Sequence, residues 1–265
     1  MAFPQTRLTL IQRLATGASQ ADWREFTQDY WGPVCRFAQS RGSLTHEDAE
    51  DVATEVFEVL FKNRLLERWS TTRSAKLRTL LCCVVRNVVS NRIRVNAGRA
   101  RLVAEHNGAL DRYADLENVE SAEAPRDQLD AFYAAWVEDL LQAAVERLLA
   151  DYDRAGKGDY FRVFHGRLCE QLPMAELADL LQIKLTSAEN YFRHARDRLA
   201  ERLKELVREH VLRYSGEAET GDEVAGEWSQ MGEYLRQRGG LEQAVRKVYE
   251  QQQRPFHPPV SPPRP

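Results

Sequence analysis

Side chains able to contact nucleic acid are concentrated in the stretch AKLRTLLCCVVRNVVSNRIR, which begins at Ala75. No Asp or Glu occurs between Glu67 and Glu105, although basic residues are frequent there. Such a single-sign block creates a local positive field that a polyanion senses even though the net charge of the chain is −3. At helical spacing, one face of the stretch carries groups suited to bases and phosphates: Asn87, Ser90, Asn91 and Arg94.

The apolar side of the same stretch contains the adjacent cysteines Cys82 and Cys83. Neighbouring side chains on a helix point about 100° apart, and the chain has no C-x-x-C pair and no His close in sequence to Cys82 or Cys83. This pattern favours small buried side chains over a metal or redox site, so we predict no cofactor. The run LLCCVV is far shorter than the roughly 20 residues of a membrane-spanning helix, and the N-terminal residues lack a signal-peptide pattern. We therefore expect a cytoplasmic protein without membrane insertion.

A second distinctive stretch, HEDAEDVATEVFEVLF, begins at His46 and is rich in carboxylates. Its apolar residues, among them Ala49, Val52 and Val56, share one helical stripe, and the acidic residues share another. HEDAE differs from the zinc motif H-E-x-x-H because Glu50 stands where the second His would be, which disfavours a hydrolytic metal site. The acidic stripe is either a solvated face or a docking surface for a basic partner.

The third distinctive stretch, LPMAELADLLQIKLTSAENYFRHARDRL, begins at Leu172 and has the spacing of a helix-turn-helix. Leu177 and Ala178 would pack the first helix, and Phe192 would hold the second helix in place. An ordinary helical hairpin with a charged face is the alternative. In the first interpretation, the second helix opens at Thr186 and carries candidate contacts to the major groove of DNA: Ser187, Asn190, Tyr191, Arg193, His194 and Arg196.

Apolar residues recur at helical spacing along nearly the whole chain, and we find no convincing period-two strand pattern. The sequence therefore predicts an all-α protein. Residues 105–130 are acidic, contain Pro and are weakly periodic, which indicates a linker between two helical domains, 1–104 and 131–214. Residues 215–265 would form a tail with two short amphipathic helices and a Pro-rich end.

Taken together, these stretches resemble bacterial sigma factors of the extracytoplasmic-function (ECF) type over roughly Trp23 to Val211. DAEDVATEVFEVL is similar to the acidic family signature that docks on the coiled-coil clamp of RNA polymerase. KLRTLLCCVVRNVVSNRIR looks like the helices that melt and read the minus-ten element of a promoter. The helix-turn-helix is similar to the domain that binds the minus-thirty-five element, and the run DQLDAFYAAWVEDLLQAAVERLL resembles a long-spacer subgroup of the family.

The resemblance implies a transcription initiation factor without catalytic activity. Its partners would be core RNA polymerase, promoter DNA and an anti-sigma factor. The residues implied in binding polymerase are Asp48, Glu50, Asp51, Glu55, Phe57 and Phe61. The residues implied in binding the minus-ten element are Lys76, Arg78, Arg86, Asn87, Ser90, Asn91 and Arg94. The six helix-turn-helix residues given above would bind the minus-thirty-five element.

The chain departs from the family pattern in its helix-turn-helix. Glu189 stands where a basic residue is common, and a carboxylate there either repels phosphate or reads cytosine. Gln182 stands where the turn usually contains Gly.

Two other functions remain open from the sequence alone. One is a stand-alone helix-turn-helix regulator whose N-terminal helices never contact polymerase. The other is an all-α enzyme that uses the carboxylates with a metal. The lack of a Gly-rich loop and of convergent histidines disfavours the enzyme.

Overall fold

The computed structural model describes residues 9–17, 19–72, 76–102, 124–214 and 220–251. These residues form eleven helices and no strand, which confirms the all-α prediction. In this part of the chain, no helix is long and apolar enough to cross a membrane. In chain order the helices are α1 (Leu10–Gly17), α2 (Gln20–Gly42), α3 (His46–Lys62), α4 (Leu65–Thr72), α5 (Leu77–Leu102), α6 (Arg126–Arg154), α7 (Gly158–Leu168), α8 (Met174–Leu180), α9 (Leu185–Tyr214), α10 (Thr220–Gln237) and α11 (Leu241–Gln251).

The described residues divide into two compact units between Trp136 and Val137. This position lies inside α6, which begins at Arg126. The last residues of the predicted linker, 105–130, are therefore helical, while most of that stretch falls on residues 103–123, outside the described residues. Helices α10 and α11, from the predicted tail, belong to the second unit.

Local capping residues define where α2 and α3 begin. At the start of α2, the Asp22 N–H donates to Ser19 Oγ over 3.2 Å and the Ser19 N–H donates to Asp22 Oδ2 over 2.9 Å, a reciprocal capping box. The chain turns after α2 at Ser43, whose φ of 48° is left-handed. Thr45 then caps α3, because its Oγ1 accepts from the Asp48 N–H over 3.2 Å. The cap at Thr45 therefore leaves only a short turn, residues 43–45, between α2 and α3.

Aromatic side chains fill the core of the first unit where α2 meets α3. Phe57 is 1% exposed; its ring stacks on Trp31 with 5.9 Å between centroids and meets Phe26 edge-on at 5.8 Å. The apolar stripe predicted for α3, which includes Val52 and Val56, is buried in the same core. Periodicity therefore identified the inner face of α3 correctly.

The beginning of α6 completes the first unit. Phe132 packs edge-on against Phe37 of α2, with 5.3 Å between the ring centroids. On α5, the Cys82 thiol donates weakly to the Gln128 carbonyl over 3.6 Å. Cys82 and Cys83 are both fully buried, so both sulfurs belong to the core.

The core of the second unit is built where α7, α8 and α9 meet. Val163, Leu177, Ala178 and Ala188 form a buried cluster. Gly166 of α7 lets α8 approach closely, because a Cβ at this position would lie 2.5 Å from Leu177 Cδ2. Leu177 is itself fully buried and has little room to move, so the close contact of α7 with α8 requires the glycine.

Helices α10 and α11 are packed parts of the second unit. α10 lies along α9, and α11 lies against α7. Met231 of α10 and Val245 of α11 are almost completely buried. Arg246 Nε donates to the carbonyl of Leu168 at the end of α7 over 3.2 Å. The two amphipathic patterns of the predicted tail therefore bury their apolar faces on the helix-turn-helix unit.

Candidate nucleic-acid and protein interfaces

The framework of the first candidate surface consists of α8, the turn of residues 181–184 and α9. The Ile183 N–H donates to the Ala178 carbonyl over 3.0 Å, which closes the turn against α8. Gln182 takes a left-handed φ of 53° in this turn. For a residue with a Cβ this conformation costs roughly 1–2 kcal/mol, which explains why glycine suits such a turn. The tight turn places the first half of α9 against α8, with the side chain of Ala188 buried between the two helices.

Four of the six predicted DNA contacts on α9 are exposed: Asn190, Arg193, His194 and Arg196. Asn190 and Arg193 are both exposed, and Arg193 Nη1 donates to Asn190 Oδ1 over 3.4 Å. By helical rotation they lie opposite the buried Ala188 and Ala195. Ser187 is half-buried at the border of this face. An amide and a guanidinium are thus presented together, as base or phosphate contacts require.

Tyr191 and His194 face the neighbouring helices of their own unit. The ring of Tyr191 stacks on Tyr160 of α7 with 3.9 Å between centroids. His194 Nδ1 lies 2.9 Å from the hydroxyl of Tyr152, whose pKa burial raises to about 12, so the hydroxyl is protonated at neutral pH and can donate. Tyr191 is half-buried, whereas His194 is exposed and lies one helical turn after Asn190. Their contacts position α9 on its framework.

Arg196 lies on the opposite border of α9 and is surrounded by acids. Arg196 Nη2 is 3.1 Å from Asp197 Oδ1, and Arg196 Nη1 is 3.9 Å from Glu242 Oε1 of α11. Arg196 is therefore exposed, as Asn190 is, but its charge is shared with two acids of its own unit.

The second candidate surface is the polar side of α5, in the first unit. Lys76 and Arg94 are exposed, and Arg94 Nη2 donates to Asn91 Oδ1 over 2.7 Å. Three further predicted residues are half-buried on this side: Arg86, Asn87 and Ser90. By helical rotation, Arg86 and Asn91 lie at the two edges of this surface, with Asn87, Ser90 and Arg94 between them.

Arg78, also predicted to bind DNA, is engaged elsewhere in the first unit. Its guanidinium carbon lies 4.6 Å from the ring centroid of Trp136 and 5.0 Å from that of Tyr133, both on α6. Such cation–π contacts are worth about 0.5–2 kcal/mol. Arg78 therefore helps to hold the start of α6 and stands apart from the polar side of α5.

The acidic face of α3 is the third candidate surface. Asp51 is its most open member: 73% of its side chain is exposed, and Arg92 Nη1 of α5 lies 3.9 Å from its Oδ2. Glu55, by contrast, accepts from Arg92 Nε of α5 over 2.9 Å. Asp48 takes part in the cap at Thr45. The remaining predicted carboxylate, Glu50, is half-buried 3.5 Å from His46 Nε2.

The two phenylalanines predicted for this surface differ in exposure. Phe61 is 37% exposed and packs against Trp23 with 5.2 Å between ring centroids. Phe57 is in the core, so it is excluded from surface contact. Sequence analysis overlooked Glu47, which is exposed one helical turn before Asp51. Counting the outward positions of α3 by helical rotation would have found it.

Burial keeps the α5 thiols protonated. Burial, supported by the neighbouring Cys83, raises the pKa of Cys82 to about 12, and burial also raises the pKa of Cys83. Thiolates are the metal-binding and nucleophilic form of cysteine, so these thiols are poor ligands and nucleophiles at neutral pH. Among the described residues, His, Cys, Asp and Glu form no group of three or more that could hold a metal.

We expect the stability of the first unit to fall as the pH rises above the ordinary thiol pKa of 9.0. The folded chain keeps the Cys82 proton up to about pH 12, whereas the unfolded chain releases it near pH 9, so the native state binds more protons in this window and loses stability with pH. Urea unfolding at about pH 8 and about pH 10.5, with reductant present, measures the change. Cys82→Ala is the control and should lose less stability; an equal loss in both proteins would contradict this assignment.

Comparison of the chain with models of protein families, with curated proteins and with solved structures finds no match. The three surfaces described above are therefore the basis for a functional interpretation.

Proposed function

We propose that this protein is a transcription initiation factor that binds core RNA polymerase through the acidic face of α3 and DNA through α9 and α5. The observation that carries the proposal is the exposed Asn190 and Arg193 pair near the start of α9, on the framework of α8, the turn of residues 181–184 and α9. Recognition helices of this kind enter the major groove with their N-terminal residues. The polar side of α5 supplies a second surface with the composition expected for contacts to an opened DNA strand.

Core polymerase would be bound mainly through Asp51. Its side chain is 73% exposed and 3.9 Å from Arg92 Nη1, whereas Glu55 is paired more closely with Arg92, at 2.9 Å. Phe61, beside Trp23, supplies partly exposed apolar area. An acidic side chain beside an aromatic one gives both orientation and contact area to a basic partner surface.

We expect Asp51→Arg to weaken binding to bacterial core RNA polymerase by about tenfold or more, because like charges placed across an interface cost several kcal/mol. The measurement is co-elution in size-exclusion chromatography, followed by titration of labelled protein with polymerase. Glu67→Arg is the matched control: it reverses a half-exposed acid of α4 that pairs locally with Arg64. Glu55→Arg is less suitable, because it also removes the 2.9 Å ion pair with Arg92, whereas Asp51 is 3.9 Å from the same guanidinium and mostly exposed.

A stand-alone helix-turn-helix regulator is the second candidate function. The ion pair between Glu55 and Arg92 favours it, because part of the acidic face is satisfied within the chain. The same titration separates the two functions. Folded wild-type protein that binds duplex DNA and fails to bind polymerase would support the regulator and overturn the initiation factor. Equal binding by wild type and Asp51→Arg would exclude the α3 face as the docking site.

A further inference from the structure

Two exposed leucines flank the helix-turn-helix turn. Leu180, the last residue of α8, is 60% exposed, and Leu185, the first residue of α9, is 45% exposed. The inward positions of this region are already filled by Leu177 and Ala178, so neither leucine is needed to complete the core. Leu185 is therefore presented at the N-terminal tip of α9, the part of a recognition helix that reaches base edges.

Glu189, one turn further along α9, is an acid without a bonded cation. It is exposed and forms no hydrogen bond or ion pair with any residue that the structure describes. The other four acids of α9 each pair with an arginine: Asp197 with Arg196, Glu201 with Arg198, Glu205 with Arg202 and Glu209 with Arg147. Every carboxylate of α9 except Glu189, near the N-terminal tip, is therefore neutralised by an arginine.

Neither side chain suits the phosphate backbone of DNA. A carboxylate is repelled by phosphate, and a leucine has no hydrogen-bond donor to offer it. Base edges in the major groove provide matching partners for both: the C5 methyl group of thymine contacts apolar side chains, and the N4 amino group of cytosine donates to carboxylates. Adenine suits Glu189 less, because its N7 acceptor lies beside its amino donor.

We infer that Leu185 and Glu189 are specificity-determining residues: Leu185 contacts a thymine methyl group and Glu189 accepts from cytosine N4 of the bound duplex. Four residues of helix advance about 6 Å, and base pairs are stacked about 3.4 Å apart. The recognised sequence therefore contains a thymine and a cytosine within about two base pairs of each other. This inference rests on the proposed DNA binding by α9, and it adds which bases are read.

The test begins with selection from random DNA duplexes, using the full chain alone and the full chain bound to core RNA polymerase. In the selected duplex, each thymine is then replaced by uracil, which lacks the C5 methyl group, and each C·G pair is inverted. We expect one uracil replacement to weaken wild-type binding by about three- to fivefold, and one inversion to weaken it by about 5- to 150-fold. Leu185→Ala should become insensitive to that uracil, and Glu189→Gln should lose most of its discrimination against that inversion.

Two matched controls lie on the same helix. Leu212→Ala removes a leucine that is 51% exposed at the far end of α9, and Glu201→Gln changes an acid that is paired with Arg198. Both variants should retain the wild-type base preferences.

The outcomes separate this inference from the proposed function. A selected duplex to which Leu185→Ala and Glu189→Gln respond as wild type does would overturn the inference alone. Binding of polymerase without selection of any duplex would also overturn it while leaving the docking of α3 standing. Failure to bind either polymerase or DNA would overturn both.

Discussion

Replacing Phe57 by alanine is expected to destabilise the first unit by about 3–5 kcal/mol. The phenylalanine is almost completely buried between α2 and α3 and packs against both Trp31 and Phe26, so its removal leaves a cavity that this aromatic core cannot easily close. Urea unfolding followed by tryptophan fluorescence measures the loss directly, because Trp31 is one of the rings in contact.

Phe61→Ala is the matched control for this prediction. Phe61 is on the same helix and is partly exposed, so its truncation removes the contact with Trp23 and should cost less than about 1.5 kcal/mol. A Phe57→Ala protein that unfolds like wild type yet fails to bind polymerase would contradict the packing in the core and restore Phe57 to the interface.

Ending the chain at Tyr214 is expected to lower the melting temperature of the second unit by about 10 °C or more. Truncation removes the buried side chains of Met231, Val245 and Val248 and exposes the surfaces of α7 and α9 that they cover. Each such side chain contributes about 1.5–3 kcal/mol when buried. Differential scanning calorimetry of the full and truncated chains measures the shift.

A chain ending at Gln251 serves as the control for truncation. It keeps both helices and loses only residues 252–265, so its melting temperature should remain within about 1 °C of that of the full chain. Unchanged melting of the chain ending at Tyr214 would show that α10 and α11 do not stabilise the second unit in solution.

Much of the fold could be predicted from periodicity alone. The stripe of Val52 and Val56 is buried as expected, and the tail patterns with Met231 and Val245 are helices with buried apolar faces. Apolar residues three and four positions apart mark the inner face of a helix, so this face can be predicted from a short stretch of sequence.

The partners of individual polar residues could not be predicted in the same way. Arg78 is held by Trp136, and His194 by Tyr152, each pair more than forty residues apart in sequence. Helical spacing gives the direction in which a side chain points, but it does not say which neighbouring helix lies there. The same limit explains why Glu55 was predicted for the acidic docking surface although it pairs with Arg92 of α5.

The buried cysteines of the first unit also determine whether its unfolding can be reversed. Cys35, Cys82 and Cys83 are inaccessible in the folded chain, so oxidants reach them only after the unit opens. Once exposed, Cys82 and Cys83 regain an ordinary pKa, ionise more readily and are oxidised to disulfides. Heating without reductant would then make unfolding irreversible, so that the observed melting temperature depends on the scan rate. The thiols that the fold buries thus expose the unfolded chain to irreversible oxidation.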